Sequence, residues 1–288
     1  MLLGNQPARS DRLVCLGVNI GGSLGLPLVN ARPIGGATSP APTHDPLEPG
    51  TLPTSRMAMA TLHHHPICPH SRFIRLVLGE MGIEVEIKEE RVWERRREFL
   101  ALNPAGTTPV LVEESIAAVP GASVIAEYLD ETRGLALGER RLLPEDPAGR
   151  VEVRRIMGWF LDKFETEVSS FLVTEKVFKR FISSAEGGGA PDMVSIRAAR
   201  TNLRYHLKYI GWLLAERNWL AGPRMSYADL AAAAQLSSMD FLGDVPWDED
   251  ETARTWYSRL KSRPSFRPLL ADRIAGIAPP EHYADLDF

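Results

Sequence analysis

Phe, Trp and Tyr supply 22 residues of this 288-residue chain, and none of them falls in the first 56 positions. Those positions hold 8 Gly and 8 Pro. A stretch without large apolar side chains and so rich in chain breakers cannot bury enough area to offset the entropy of ordering it. The fold must therefore be built from the remaining residues, 57–288. Residues 1–58 are expected to be a disordered extension, or a mis-assigned start with translation beginning at Met57 or Met59. A secretory signal fits less well: Arg9 and Arg12 precede an apolar run, but Asn19, Gly21, Gly22 and Pro27 break it.

Hydrophobic residues make up 44% of the chain and charged residues 24%, ordinary values for a globular protein. Its 33 basic and 37 acidic residues give a net charge of −4, which argues against nucleic acid or an anionic membrane as partner. The two cysteines, Cys15 and Cys68, exclude a disulfide framework. No uninterrupted run of 18 apolar residues marks a membrane span, and a cytoplasmic location is expected.

From residue 61 a short strand is followed by a turn through Pro66, Cys68 and Ser71. A helix then carries Phe73, Leu76, Val77 and Met81 on one face and ends at Gly82. Residues 84–88 alternate with period two and read as a strand. A polar helix over 94–102, an Asn103-Pro104-Ala105-Gly106 loop, two strands around 109–112 and 116–119, and a helix over 123–132 complete the unit. The order βαβ-α-ββα requires a mixed sheet with helices on both faces, the thioredoxin-like arrangement.

The run from Phe99 to Leu111 resembles the glutathione S-transferase motif in which an Asn-Pro-x-Gly turn leads to a cis-proline. The resemblance implies a cis Thr108–Pro109 peptide whose backbone holds the cysteinyl part of glutathione. Beyond residue 150 the pattern is helical. Val153, Ile156, Met157, Phe160, Leu161, Phe164 and Val168 form one apolar stripe, and Ser226 with Asp229 opens a helix that is apolar nearly all round. These features are similar to the all-α half of the same family. The expected fold class is α/β plus all-α: a thioredoxin-like domain over 59–135, an all-helical domain over 148–275, and a tail over 276–288.

In that family the catalytic group is a Tyr, Ser or Cys just after the first strand, so the resemblance points to Cys68 and Ser71. A thiol beside unpaired helix N–H groups is expected to have a lowered pKa. Ser123, at the start of the third helix, is matched to the residue that receives the γ-glutamyl carboxylate. Its neighbour Ala122 departs from the usual Glu or Gln and offers nothing to the ammonium group. Glutathione is thus expected to be a weak ligand and not a required cofactor. His63, His64 and His65 alternate across a strand and lack further ligands nearby, so no metal is expected. Trp93, set among Arg91, Arg95, Arg96 and Arg97, is a candidate partner contact.

The chain ends Tyr283-Ala284-Asp285-Leu286-Asp287-Phe288. Large apolar and acidic groups alternate there, unlike a plain fraying tail, and Tyr283, Asp285, Leu286, Asp287 and Phe288 read as anchors for a groove on this fold or on a partner. The tail, Pro120-Gly121-Ala122 and the segment beginning Met59-Ala60-Thr61 resemble a bacterial branch of the family whose members dimerise and bind filaments of the tubulin-like protein FtsZ at the division site. The resemblance leaves two functions open: filament binding as a homodimer, or glutathione-dependent transfer or thiol reduction through Cys68 or Ser71.

Overall fold

The computed structural model describes residues 59–114 and 116–286. The expectations for residues 1–58, and for Asp287 and Phe288, lie outside them. The first strand, β1 (Thr61–His64), is central in a four-stranded sheet of order β2-β1-β3-β4, with β2 at Glu86–Glu89, β3 at Val110–Val112 and β4 at Val119–Pro120. β1 runs parallel to β2 and antiparallel to β3, and β3 runs antiparallel to β4. This is the mixed sheet that the sequence order demands. β2 is fully exposed at the sheet edge, where Glu86, Lys88 and Glu89 discourage pairing with another chain.

Helix α1 (Pro69–Met81) starts four residues before the first residue of its apolar stripe, because Pro69 suits the first helical turn, where no N–H partner is needed. It ends at Gly82 in the left-handed region, φ 69°. Helix α2 (Arg97–Leu102) is short and follows a 3₁₀ turn at Val92–Glu94. Helix α3 (Ala122–Arg133) closes the sheet unit.

The helical unit opens with α4 (Pro147–Gly158), capped by Asp146 accepting from the Gly149 N–H at 2.6 Å. The chain continues without a break through a π-helical stretch, Trp159–Ser169, into α5 (Ser170–Lys176). The whole apolar stripe from Val153 to Val168 is buried. Helix α6 (Met193–Leu214) is capped by Asp192. Helix α7 (Tyr227–Phe241) is buried at every position, and Ser226 and Asp229 form its capping box. Helices α8 (Glu251–Lys261) and α9 (Arg267–Leu270) precede a final 3₁₀ turn at Glu281–Ala284.

The two architectures meet along α1 and α7, and contacts hold residues 59–286 together as one unit. At Gly79 a Cβ would lie 2.9 Å from Ser265 Cβ, so only glycine allows α1 this close. The next residue, Glu80, accepts from Arg263 at 2.6 and 2.7 Å and from Ser265 Oγ at 2.5 Å.

The three histidines of β1 are buried. His63 lies against Phe99, and His65 against Trp93 and Phe178. Burial, with the nearby charges of Arg75 and Arg72, lowers His64 to about 3, and burial with Arg72 and Arg91 lowers His65 to about 4. Below about pH 6.5 the unfolded chain takes up protons on these side chains while the folded one does not, so stability is lost as pH falls, by about 1.4 kcal/mol per pH unit per histidine. Carboxylates held low by ion pairs, such as Glu80 and Glu127, stabilise the fold across this interval and lose that contribution only at more acidic pH. Urea unfolding at pH 7 and pH 5.5 should therefore differ by roughly 2–3 kcal/mol for the two histidines together. An unfolding midpoint that stays fixed over that interval would mean that folded and unfolded chains take up the same number of protons, so that burial does not hold the two histidines neutral.

Candidate functional site

Three segments converge at the N-terminus of α1. Cys68 is its capping residue, with extended dihedrals, and its Sγ donates to the Thr108 carbonyl at 3.7 Å. The Thr108–Pro109 peptide is cis. The Pro109 carbonyl accepts the N–H of Gly121, the capping residue of α3, at 3.0 Å. The loop before it is built by Asn103, whose Nδ2 donates to the Thr107 carbonyl at 2.8 Å and whose Oδ1 accepts from the Ala105 N–H at 3.2 Å. Gly106, at φ 68°, completes that turn. Sequence reasoning thus located Cys68, Thr108, Pro109 and the α3 N-terminus in one place, and the structure brings them together.

The electrostatics depart from expectation. Cys68 is 8% exposed, and its thiol pKa is raised, not lowered. Burial is the largest cause and the Glu165 carboxylate adds to it; hydrogen bonds involving Ser71 and Thr108 oppose both. Loss of water costs a thiolate here more than the helix terminus returns to it. Ser71 is fully buried, and its Oγ accepts the His65 N–H at 3.3 Å. His70 is turned away, donating from Nε2 to the Leu161 carbonyl when that nitrogen carries the proton (2.9 Å).

Across the site, Ala122 is buried and Ser123 exposed at the first turn of α3, which has no side-chain cap. Its N–H groups and Ser123 suit a carboxylate. Among the described residues no group of three or more His, Cys, Asp or Glu is arranged to hold a metal ion, and no helix is long and apolar enough to cross a membrane.

Trp93 is half-buried in an aromatic stack. Its ring lies parallel to Phe181 at 5.2 Å and near Phe178 and His65 at 5.4 and 5.3 Å. Trp93, Phe181 and His65 line, with Arg91, Arg273 and Ile274, a cleft of about 290 Å³. The tail divides in two. Tyr283, expected as one of a row of exposed anchors, is fully buried and serves its own fold, its OH donating to the Leu269 carbonyl at 3.0 Å. Its ring satisfies the apolar demand that the sequence left open between this fold and a partner. Asp285 and Leu286 are exposed, Leu286 by 39%.

The N-terminal domain family of glutathione S-transferases matches residues 67–132. FtsZ-localized protein A of Caulobacter vibrioides is 49% identical over 231 residues, 79% of this chain and 98% of that protein. The chain belongs to the glutathione S-transferase family. A crystal structure described as a glutathione S-transferase from Sinorhizobium meliloti 1021 is 55% identical, covers 80% of this chain and all of its own, and superposes with a TM-score of 0.78. FzlA from C. crescentus is 48% identical over the same shares, with a TM-score of 0.74.

Within this glutathione S-transferase fold, sequence reasoning missed Arg72 and Glu165. Arg72 is a fully buried cation inside α1, and Glu165 a buried acid behind Cys68 whose carboxylate accepts from Gln235 at 3.1 Å. Both sit on apolar helix faces, where the only signal is a charge interrupting the stripe.

A buried thiol with a raised pKa should react slowly. In a Cys15→Ser background, iodoacetamide at pH 8 should modify native Cys68 at least about tenfold more slowly than the urea-unfolded chain. Equal rates would show an accessible, reactive thiolate.

Proposed function

We propose that this protein binds FtsZ filaments at the division site as a homodimer, through the tail beyond Tyr283 and the surface around Trp93, and that it does not depend on glutathione. The observation that carries this reading is the 49% identity to FtsZ-localized protein A over 98% of that protein's length. The site supports it. Cys68 is buried with its thiol pKa raised, and Ala122 offers no group for the γ-glutamyl ammonium. A missing charge-assisted hydrogen bond costs about 1.5–3 kcal/mol, which places glutathione affinity around millimolar or weaker. The second reading, a glutathione-dependent transferase or thiol reductase using Cys68 or Ser71, draws on the cis Thr108–Pro109 peptide and the uncapped α3 terminus.

The dimer reading draws on a row of exposed apolar side chains: Val124 on α3, Val151 on α4, and Tyr205 and Trp212 on α6. These helices adjoin. Arg154 on α4 pairs with Glu127 on α3, and Arg155 on α4 donates to Tyr209 on α6. A twofold pairing over this face covers the row and presents two copies of every partner contact to a repetitive filament, so that weak contacts act together.

Co-sedimentation with FtsZ polymers and calorimetry with glutathione test the two readings together. Retention in the polymer pellet with no micromolar glutathione binding is the expected result. Absence from the pellet, with conjugation activity that Cys68→Ala abolishes, would establish the enzyme instead. The twofold contact has its own check: Trp212→Glu should yield a folded monomer that co-sediments at least about tenfold more weakly, and a monomer that pellets like the parent would remove bivalency from the account.

A further inference from the structure

Tyr283 reaches into the core between the two architectures. Its OH accepts from Arg72 Nη1 at 3.0 Å and donates to the Leu269 carbonyl at 3.0 Å. The Tyr283 ring lies 5.2 Å from that of Phe241 on α7, edge to face. The Arg72 guanidinium is 6.0 Å from the Tyr283 ring and the Lys261 ammonium 5.9 Å, both within cation–π range. The turn that carries the ring is held on both sides: Lys261 Nζ donates to the His282 carbonyl at 3.0 Å, and His282 Nε2 lies 3.1 Å from the Asp240 carboxylate. The exposed tip begins only two residues later, where the Asp285 N–H donates to the His282 carbonyl at 3.1 Å.

Chain length gives this arrangement a consequence for binding. Two residues span at most about 7 Å, so the buried ring confines Asp285 to a small region of the surface. Released from the ring and held only where Ile277 packs on the core, the same residue is eight positions from an anchor and sweeps about 25–30 Å. A recognition segment confined in advance loses less freedom on binding than one that must be ordered by its partner.

We propose that the buried Arg72–Tyr283 contact is a latch that fixes where the recognition tip leaves the body, which makes Tyr283, Arg72 and Lys261 positioning residues for partner binding, although none of them touches the partner. The proposal rests on the filament-binding reading above. It separates the tail into an anchored half, residues 281–284, which the buried Tyr283 ring holds and which sets direction, and a contact half that starts at the exposed Asp285 and Leu286.

Two variants of the full chain test it, each assayed by co-sedimentation with FtsZ polymers and by thermal unfolding. One ends at Ala284, which keeps the latch and removes the tip. The other inserts Gly-Ser-Gly between Ala284 and Asp285, which keeps every buried contact and the whole tip but frees one from the other. The inserted chain should melt with the parent and bind about tenfold more weakly, and the shortened chain should melt with the parent and not bind. If the shortened chain binds like the parent, the tail is not the recognition element and the filament-binding reading of it fails. If the shortened chain is inactive while the inserted chain binds like the parent, the tail recognises the partner without being positioned, and the latch is wrong. A Tyr283→Ala chain that stays folded should lose at least as much affinity as the inserted one; undiminished binding by it would overturn the latch equally.

Discussion

Arg72 is the cation on which this fold turns. Its Nε donates to the Pro66 carbonyl at 2.7 Å, its Nη1 to the Ser237 carbonyl at 2.8 Å and to Tyr283, and its Nη2 stands 3.6 Å from the Asp272 carboxylate, an ionic contact too long for a hydrogen bond. One side chain thus ties the β1–α1 turn, the buried helix α7, the segment after α9 and the C-terminal turn. A guanidinium with no exposure is held because Nε and Nη1 are hydrogen-bonded and Asp272 sets an opposite charge facing Nη2. Asp272 is shared with Arg75 at 2.8 Å, so a single carboxylate faces two guanidiniums in a cluster on the rim of the core.

That cluster explains why the two architectures behave as one unit. The sheet and the helical bundle each present an apolar face, but apolar faces do not fix register. Register comes from the polar groups buried between them: Arg72 at one end of α1, Glu80 with Arg263 and Ser265 at the other, and the Tyr227 hydroxyl donating to the Ala126 carbonyl on α3. Between these points Gly79 lets α1 approach Ser265 closely.

The geometry of the cis-proline site and the reactivity of its thiol are set by different forces. The cis Thr108–Pro109 peptide, the Asn103 turn and the α3 terminus are joined by hydrogen bonds within the sheet unit, so they persist for as long as the fold does. Nucleophilic reactivity at Cys68 depends instead on water and local charge. Burial and the acid Glu165 set both against a thiolate. Geometry and reactivity at such a site can therefore vary independently, because backbone hydrogen bonds and side-chain solvation answer to different constraints.

Local pattern was enough for the order of elements, the parallel and antiparallel pairings and the Ser226–Asp229 cap, because each follows from the spacing of a few neighbouring residues, while the cis-proline loop was implied by resemblance to the transferase motif. The Phe99–Leu111 motif likewise marked the site's position. Three things were decided by tertiary structure. The thiol pKa at Cys68 depends on how completely the helical unit covers it, and on Glu165, which lies 97 positions away in the sequence. Arg72 reads locally as a charge on a helix, and only α7 and the tail turn it into a junction. Tyr283 has the sequence character of an exposed anchor, yet it is buried, because a cavity edged by Phe241, Arg72 and the Leu269 carbonyl exists only after distant segments have packed. Spacing along a chain encodes local geometry; solvation and charge environment belong to the assembled core.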